Sequence, residues 1–435
     1  MLVANGYAPD PRVHKEAKTL IKSGYSVSVL CWDRQRNKRE TEVLDGVLVR
    51  RFRFLLPKGI VSYSLSGCLF LATCLLVLIK QGFREQRVIV HCHDFNTLPV
   101  GWLLRSLSQR FRLVYDSHEN FSALLSTIAP RVLASVARTI ERFMLSRVDG
   151  LIAANDMILA TLQPYSKRQG VAVYNTPPLT VSQFSSNRSE IRRLRNEFGA
   201  AEFVVLYYGA MIRHRGLFAL LDAAALAERS SLRLSFVLVG EGPLRSALRA
   251  EVRERKLDRM VRFYPHVAFQ RAMVMVKAAD AVYIGFEPED PNNHFASPNK
   301  LFESMAMGTP VLTCSFGLLG SLVRMFRCGV TLKSVTGPSI LTGVRELEQE
   351  GLRKQCSRNG VHWFRSHYNW DTMEERLRET YKVALNLDAW LSKSERDKRK
   401  DAAHDTEPQY CHLFVSDPPR VSPVKRLELL TGQLY

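Results

Sequence analysis

Short apolar runs alternate with segments whose apolar residues recur every three or four positions, and the alternation continues through most of the chain. In the first half the runs MLVAN (1–5), YSVSVLCW (25–32), VLVRRF (47–52), VIVHCH (88–93), RLVYDSH (112–118), GLIAAN (150–155) and GVAVYN (170–175) predict strands. Helical patterns fall between them. The clearest is PRVHKEAKTLIKSG (11–24), with Val13, Ala17, Leu20 and Ile21 on one face. Strands alternating with crossover helices predict a doubly wound parallel α/β domain. A polar stretch, TPPLTVSQFSSNRSEIRR (176–193), interrupts the pattern. It then restarts with FVVLYYGA (203–210), LSFVLVGEG (234–242), MVRFYPHV (260–267), AVYIGF (281–286) and TPVLTC (309–314). The expectation is two Rossmann-like domains, 1–180 and 181–385, facing a cleft, with a mobile tail over 386–435. In such folds ligands bind at the carboxyl ends of the parallel strands.

One apolar stretch departs from this rhythm. From Gly59 to Ile79 the chain runs 21 residues without a charge, between Lys58 and Lys80. A bilayer span needs about 20 residues, so length alone permits one. The stretch lies between two predicted strands, however, where a crossover helix belongs, and a span would separate strands of one sheet. A buried crossover helix, a helix dipping into the membrane interface and a true span are the three readings. The neighbouring Arg50, Arg51, Arg53 and Lys58 favour the second, because anionic headgroups attract them.

Charge sharpens the choice of partner. The 435 residues include 61 Lys or Arg against 42 Asp or Glu, a net +19, and the first 180 residues hold 24 basic and 13 acidic ones. Such an excess fits nucleic acid, an anionic membrane or phosphorylated substrates. There is no RNP-type aromatic motif, zinc finger or recognition-helix signature, so no nucleic-acid partner is expected. The eight cysteines form no CxxC pair, which argues against a zinc module or disulfide scaffold and for a reduced, cytoplasmic setting. The opening MLVANGYAPDPRV lacks a basic start and long apolar run, so export is not expected.

The candidate chemistry sits where strands end. In YYGAMIRHRG (207–216), Gly209 leads into a loop bearing Arg213, His214 and Arg215 before a helix opens at Gly216. Helix-start amides and two guanidinium groups suit a diphosphate, while solvated arginines in an ordinary loop are the plainer reading. VGEGPL (239–244) offers Gly240 and Gly242, where a ligand can approach the backbone or the chain simply turns. HFASPNKLFESMAMGTPVLTC (294–314) places Pro298 at a helix start, amides of Asn299, Lys300 and Leu301 for an anion, and Glu303 one turn on for a ribose diol. Gly308 and Pro310 end that helix. In the first half, His93 with Asp94 and His118 with Glu119 lie at strand ends, where each histidine can orient a hydroxyl or satisfy local backbone. His91 reads as core. Arg12, in the first turn of a helix, reads as cleft-facing or solvated. No further ligand is evident beside His91 and His93, so no metal is expected there.

These motifs in this order resemble those of the retaining GT-B glycosyltransferases of family four, over about 1–385. The resemblance implies that Arg215 binds a donor diphosphate and Glu303 its ribose. Ala210 stands where an arginine often follows the loop glycine, and Arg213 then compensates. Phe295 stands where many members carry a second glutamate, with Glu287, Glu289 or Asp290 as substitutes. Pro265, His266 and Val267 would neighbour the base. His93, Asp94 and His118 would be catalytic, with Arg12 and Glu119 meeting an acceptor or phosphate. Residues 362–385 would cross back to the first domain, anchored by Trp370 and Tyr381. No DxD occurs, so neither metal nor cofactor is expected beyond the nucleotide sugar. Leaving-group charge then falls to Arg215, Lys300 and helix amides, with an oxocarbenium-like transition state. The implied activity is transfer of a sugar to a lipid-linked or polysaccharide acceptor in envelope or exopolysaccharide synthesis, at the inner face of the membrane. A catalytically silent GT-B scaffold, suggested by Phe295 and Ala210, and a nucleotide-sugar epimerase are the alternatives.

Overall fold

The computed structural model describes residues 1–7, 10–54, 60–84, 87–127, 129–185, 188–199, 202–230 and 232–385. Lys58, Gly59 and the expected tail over 386–435 lie outside the described residues. The chain forms two units, one of Met1–Val173 with the chain from Glu374 onward, the other of Tyr174–Met373.

The first unit holds β1 (Leu2–Val3), β2 (Ser28–Trp32), β3 (Thr41–Leu44), β4 (Val47–Phe52), β5 (Val88–His93), β6 (Phe111–Ser117), β7 (Gly150–Ala153) and β8 (Val171–Ala172). They form one sheet in the order β3-β4-β2-β1-β5-β6-β7-β8. All pairings are parallel except β3 with β4. β3 escapes the apolar pattern because TEVL is an edge strand of alternately exposed and half-buried residues. Its sequence signal is the turn after it: Asp45 and Gly46 both have positive φ (48° and 84°), the two-residue Asp-Gly hairpin that matches strand twist.

The helices here are α1 (Pro11–Lys22), α2 (Ile60–Arg84), α3 (Leu98–Leu107), α4 (Phe121–Ser126), α5 (Arg131–Leu145) and α6 (Asp156–Leu162). Asp10 caps α1 by accepting the Val13 amide at 3.2 Å, and Val13, Ala17 and Leu20 turn inward as their spacing predicts. α2 takes the crossover place between β4 and β5, strands of one sheet. It buries Ser66, Phe70, Cys74 and Leu78, four residues apart, with Phe70 stacked on Trp32 at 6.1 Å. By length and composition α2 could cross a membrane.

The second unit holds β9 (Phe203–Tyr208), β10 (Leu234–Val239), β11 (Val261–Tyr264), β12 (Ala281–Ile284), β13 (Val311–Cys314) and β14 (Gly329–Leu332), all parallel in the order β11-β10-β9-β12-β13-β14. β9 and β10 are buried at every residue, which explains their unbroken apolar runs. The helices are α7 (Arg188–Glu197), α8 (Leu217–Arg229), α9 (Arg245–Glu254), α10 (Phe269–Ala278), α11 (Asn299–Met307), α12 (Gly317–Phe326), α13 (Gly337–Glu348), α14 (Glu350–Ser366) and α15 (Trp370–Ala384). Within the second unit, Trp370 donates its amide to Pro177 O at 3.0 Å. From Glu374 onward α15 is part of the first unit, where Thr19 Oγ1 donates to Glu374 at 2.9 Å and Arg376 to Ala172 O at 2.8 Å.

Candidate active site

In the second unit the chain leaves β9 and β10 through three glycines in the left-handed half of backbone space, Gly209 (φ 127°), Gly240 (φ 137°) and Gly242 (φ 152°). Space as well as conformation demands glycine: a Cβ on Gly240 would stand 2.1 Å from Gly209 O, and one on Gly209 would stand 2.7 Å from Lys300 Nζ. The two strand ends therefore touch backbone to backbone, and Lys300 from α11 lies against them.

Around this turn the expected donor residues come together. Lys300 Nζ sits 4.3 Å from the Tyr207 ring centre and 5.7 Å from that of Tyr208. Burial and the Arg215 charge lower its ammonium to about 8, against the pull of Glu303. Glu303, one helical turn beyond Lys300, accepts a hydrogen bond from the Tyr208 hydroxyl at 2.6 Å, and burial with that carboxylate raises the phenol well above its usual range. Arg215 donates to Asn293 Oδ1 at 2.8 Å and lies 4.6 Å over the Phe286 ring. Its partner is neutral, so its charge remains available to an anion. Arg213 is exposed, as is His266, while Val267 is half-buried.

Two helix starts differ from expectation. The Gly216 amide at the head of α8 donates to Glu287 Oε1 at 3.1 Å, and His214 Nδ1 lies 3.2 Å from Glu287 Oε2. A carboxylate thus holds the amide expected to hold phosphate. At α11 the Leu301 amide turns back to Pro298 O at 3.0 Å, leaving Asn299 and Lys300 to head the helix, and Leu301 itself is buried. Glu287, one of three suggested substitutes for a second glutamate, belongs to this loop; Asp290 is engaged in capping Asn292 at 3.0 Å. Asn293, buried and central, was missed, because nothing in a polar loop distinguishes it by spacing.

The first unit contains a second cluster. Strand register sets His93 beside Asp116 and His91 beside Val114. His118 Nε2 lies 2.9 Å from Asp116 Oδ2 and 3.0 Å from His93 Nδ1, and Asp94 Oδ1 accepts the His118 amide at 2.9 Å. Burial opposes the charged form of His118, but Asp94 and Asp116 outweigh it and raise the imidazolium to about 9. Burial lowers His93, and burial with the His93 charge lowers His91 further. Asp116 resists its own burial through Arg12 and His118, which hold it well below the usual carboxylate range. Glu119 is exposed.

Arg12 is neither solvated nor presented to a ligand. It is buried, with Nη2 at 2.6 Å and Nε at 3.1 Å from Asp116, Nε at 3.1 Å from Glu16, and Nη1 on Val173 O. Its donors are committed to the protein, so the expected contact with an acceptor or phosphate gives way to an internal role. The expectation that nothing accompanies His91 and His93 is also corrected: Glu16 and Asp116 gather with them, ligand atoms within 4.8 Å of one another. Arg12 pairs with both carboxylates, so the local cation is a guanidinium. Burial and Asp116 raise Glu16 to about 8. His91 reads as core, as expected, and Tyr381 places its hydroxyl 2.8 Å from His91 Nδ1. Asp116 was overlooked although it precedes His118 by two residues, the spacing that puts side chains on one face of a strand.

Residues 189–363 match the family described as Glycosyl transferases group 1, and residues 8–175 match the Glycosyl transferase 4-like domain. The uncharacterized glycosyltransferase MJ1607 of Methanocaldococcus jannaschii is 23% identical over 390 residues, 85% of this chain and 93% of the relative. Among solved structures, sucrose-phosphate synthase from Thermosynechococcus elongatus aligns with a TM-score of 0.69 at 18% identity, over 89% of this chain and 99% of that one. Anabaena HepE in complex with UDP and glucose aligns with a TM-score of 0.63 at 16% identity, over 88% and 99%.

Proposed function

Because the chain belongs to the GT-B glycosyltransferases, we propose that its second unit holds a nucleotide-sugar donor and that its first unit acts on a glycan or lipid-linked acceptor at the cytoplasmic face of the membrane. The observation that carries the donor assignment is the gathering of Arg215, Lys300 and Glu303 around the Gly209 and Gly240 turns. UDP in the HepE complex makes it the first donor nucleotide to test.

In this reading Arg215 and Lys300 take the two phosphates, and the diphosphate restores the Lys300 proton that burial weakens. Glu303, oriented by Tyr208, accepts from the ribose hydroxyls. As the bond between the anomeric carbon and the phosphate oxygen breaks, charge grows on the departing diphosphate, where the two cations stabilise it without any metal. The sugar passes through an oxocarbenium-like state. Attack by the acceptor hydroxyl on the face the diphosphate leaves retains configuration, and its proton passes to a phosphate oxygen of the leaving group. His118, protonated at neutral pH, donates to a sugar or phosphate oxygen and is kept in place by Asp116, Asp94 and His93.

The acceptor side rests on the basic first unit and on α2. The test is turnover of radiolabelled UDP-sugars with membrane glycolipid or polysaccharide extracts: a product requiring an acceptor supports the reading. A free epimer formed without acceptor would favour the epimerase, and neither binding nor turnover of any donor the scaffold.

A further inference from the structure

Helix α5 is built inside out. It buries Ala134, Ala137, Glu141 and Leu145, while five of its large apolar residues face solvent: Val132 (72% exposed), Leu133, Val136, Ile140 and Phe143 (62%). At 100° per residue these five fall within one arc of about 100° on the helix. Arg131, Arg138 and Arg142 form a separate row, divided from that arc by the exposed Ser135 and Thr139. Such a helix gains nothing from its outer face in water.

The same face continues across its neighbours. α3 touches both α5 and α2, and Trp102 of α3 lies 5.5 Å from Phe143 of α5. α3 exposes Leu103 and Leu107, and α2 exposes Leu65, Leu69 and Leu76 opposite its buried stripe. Ten of the seventeen large apolar residues exposed among the described residues thus stand on three adjoining helices. A contiguous apolar surface of this kind marks an interaction site.

Charge identifies the occupant. The three helices carry Lys80, Arg131, Arg138 and Arg142, with Arg105 already held by Asp149 at 2.6 and 3.1 Å, and their one acidic residue, Glu141, is buried and accepts from the Tyr115 hydroxyl. A second copy of the chain meeting this face by two-fold symmetry would set cations against cations. An anionic phospholipid surface satisfies both the apolar stripes and the arginines. We propose that the outer faces of α2, α3 and α5 form a bilayer-docking surface, with α5 its principal element. The inference deepens the membrane-face reading above and rests on that reading for its purpose, but stands on side chains that belong to neither site cluster.

The test is flotation of the full chain with vesicles of phosphatidylcholine mixed with phosphatidylglycerol, against phosphatidylcholine alone. The expected result is preferential binding to the anionic vesicles, weakened by salt. Val136→Asp with Phe143→Asp should lower the partition at least about tenfold, since two apolar side chains lose their burial. Leu76→Asp should lower it by only about two- to threefold. All three positions are exposed, so melting temperature and UDP affinity should stay at wild-type values, which separates loss of docking from loss of fold. Equal binding to both vesicle types, wild-type flotation of the α5 variant, or a solution dimer that the α5 variant dissociates would overturn the proposal. Absence of UDP binding with intact flotation would instead sink the donor reading.

Discussion

Two arginines mark the difference between the units. Arg12 is enclosed by Asp116 and Glu16, its charge neutralised within the protein, whereas Arg215 bonds the neutral amide oxygen of Asn293 beside a lysine it repels. The first arrangement holds a shape and tunes an imidazole. The second stores unmet positive charge, which is what an anionic ligand requires. Damage to the first should therefore appear in stability and in turnover, and damage to the second in ligand affinity.

The largest effect is expected from Asp116→Asn, which leaves the buried Arg12 guanidinium without its main counter-charge. Urea denaturation should show a loss of about 3–5 kcal/mol. A wild-type midpoint would mean the network is not the keystone described. Next comes Arg215→Ala, for which calorimetry should show UDP affinity reduced about 10- to 100-fold, the worth of a charge-assisted hydrogen bond, with stability little changed. Loss of stability there would erase the contrast between the two arginines. Glu303→Gln should weaken UDP about tenfold while leaving inorganic pyrophosphate binding almost untouched, because the ribose is absent from the latter.

A smaller signature lies in pH. His118 is raised to about 9 in the folded chain from an ordinary value of about 6.5, so its contribution to stability is complete below about 6.5 and disappears as pH climbs through about 9. His118→Gln should flatten the stability profile across that interval. An unchanged slope would detach His118 from its carboxylates.

The two clusters also differed in how far the sequence disclosed them. The proposed donor site is compressed into three loops, each read from consecutive residues: glycines after strands, Arg215 before a helix, Lys300 and Glu303 one turn apart. Periodicity places those loops at strand ends. It does not show that Glu287 holds the Gly216 amide or that Asn293 meets Arg215, since loop hydrogen bonds follow no period. The first unit's network joins Arg12, His93, Asp116 and Tyr381 from α1, β5, β6 and α15. Only strand register and the return of the last helix bring them together, so from sequence Arg12 reads as cleft-facing or solvated rather than enclosed. Apolar pattern disclosed the buried parallel strands best and failed at β3, whose residues alternate at an edge, and at the short β14.

The proposed function turns on Lys300 and Arg215 gripping the donor diphosphate. UDP should be titrated calorimetrically at pH 8 in buffers of different ionisation heat, on wild type and on Lys300→Ala. Near that pH the free Lys300, lowered to about 8, is partly deprotonated, and an adjacent diphosphate must raise it. Tight binding with uptake of a fraction of a proton is expected, and the uptake should vanish in Lys300→Ala. Binding with no proton uptake, or no binding of UDP at all, would contradict it.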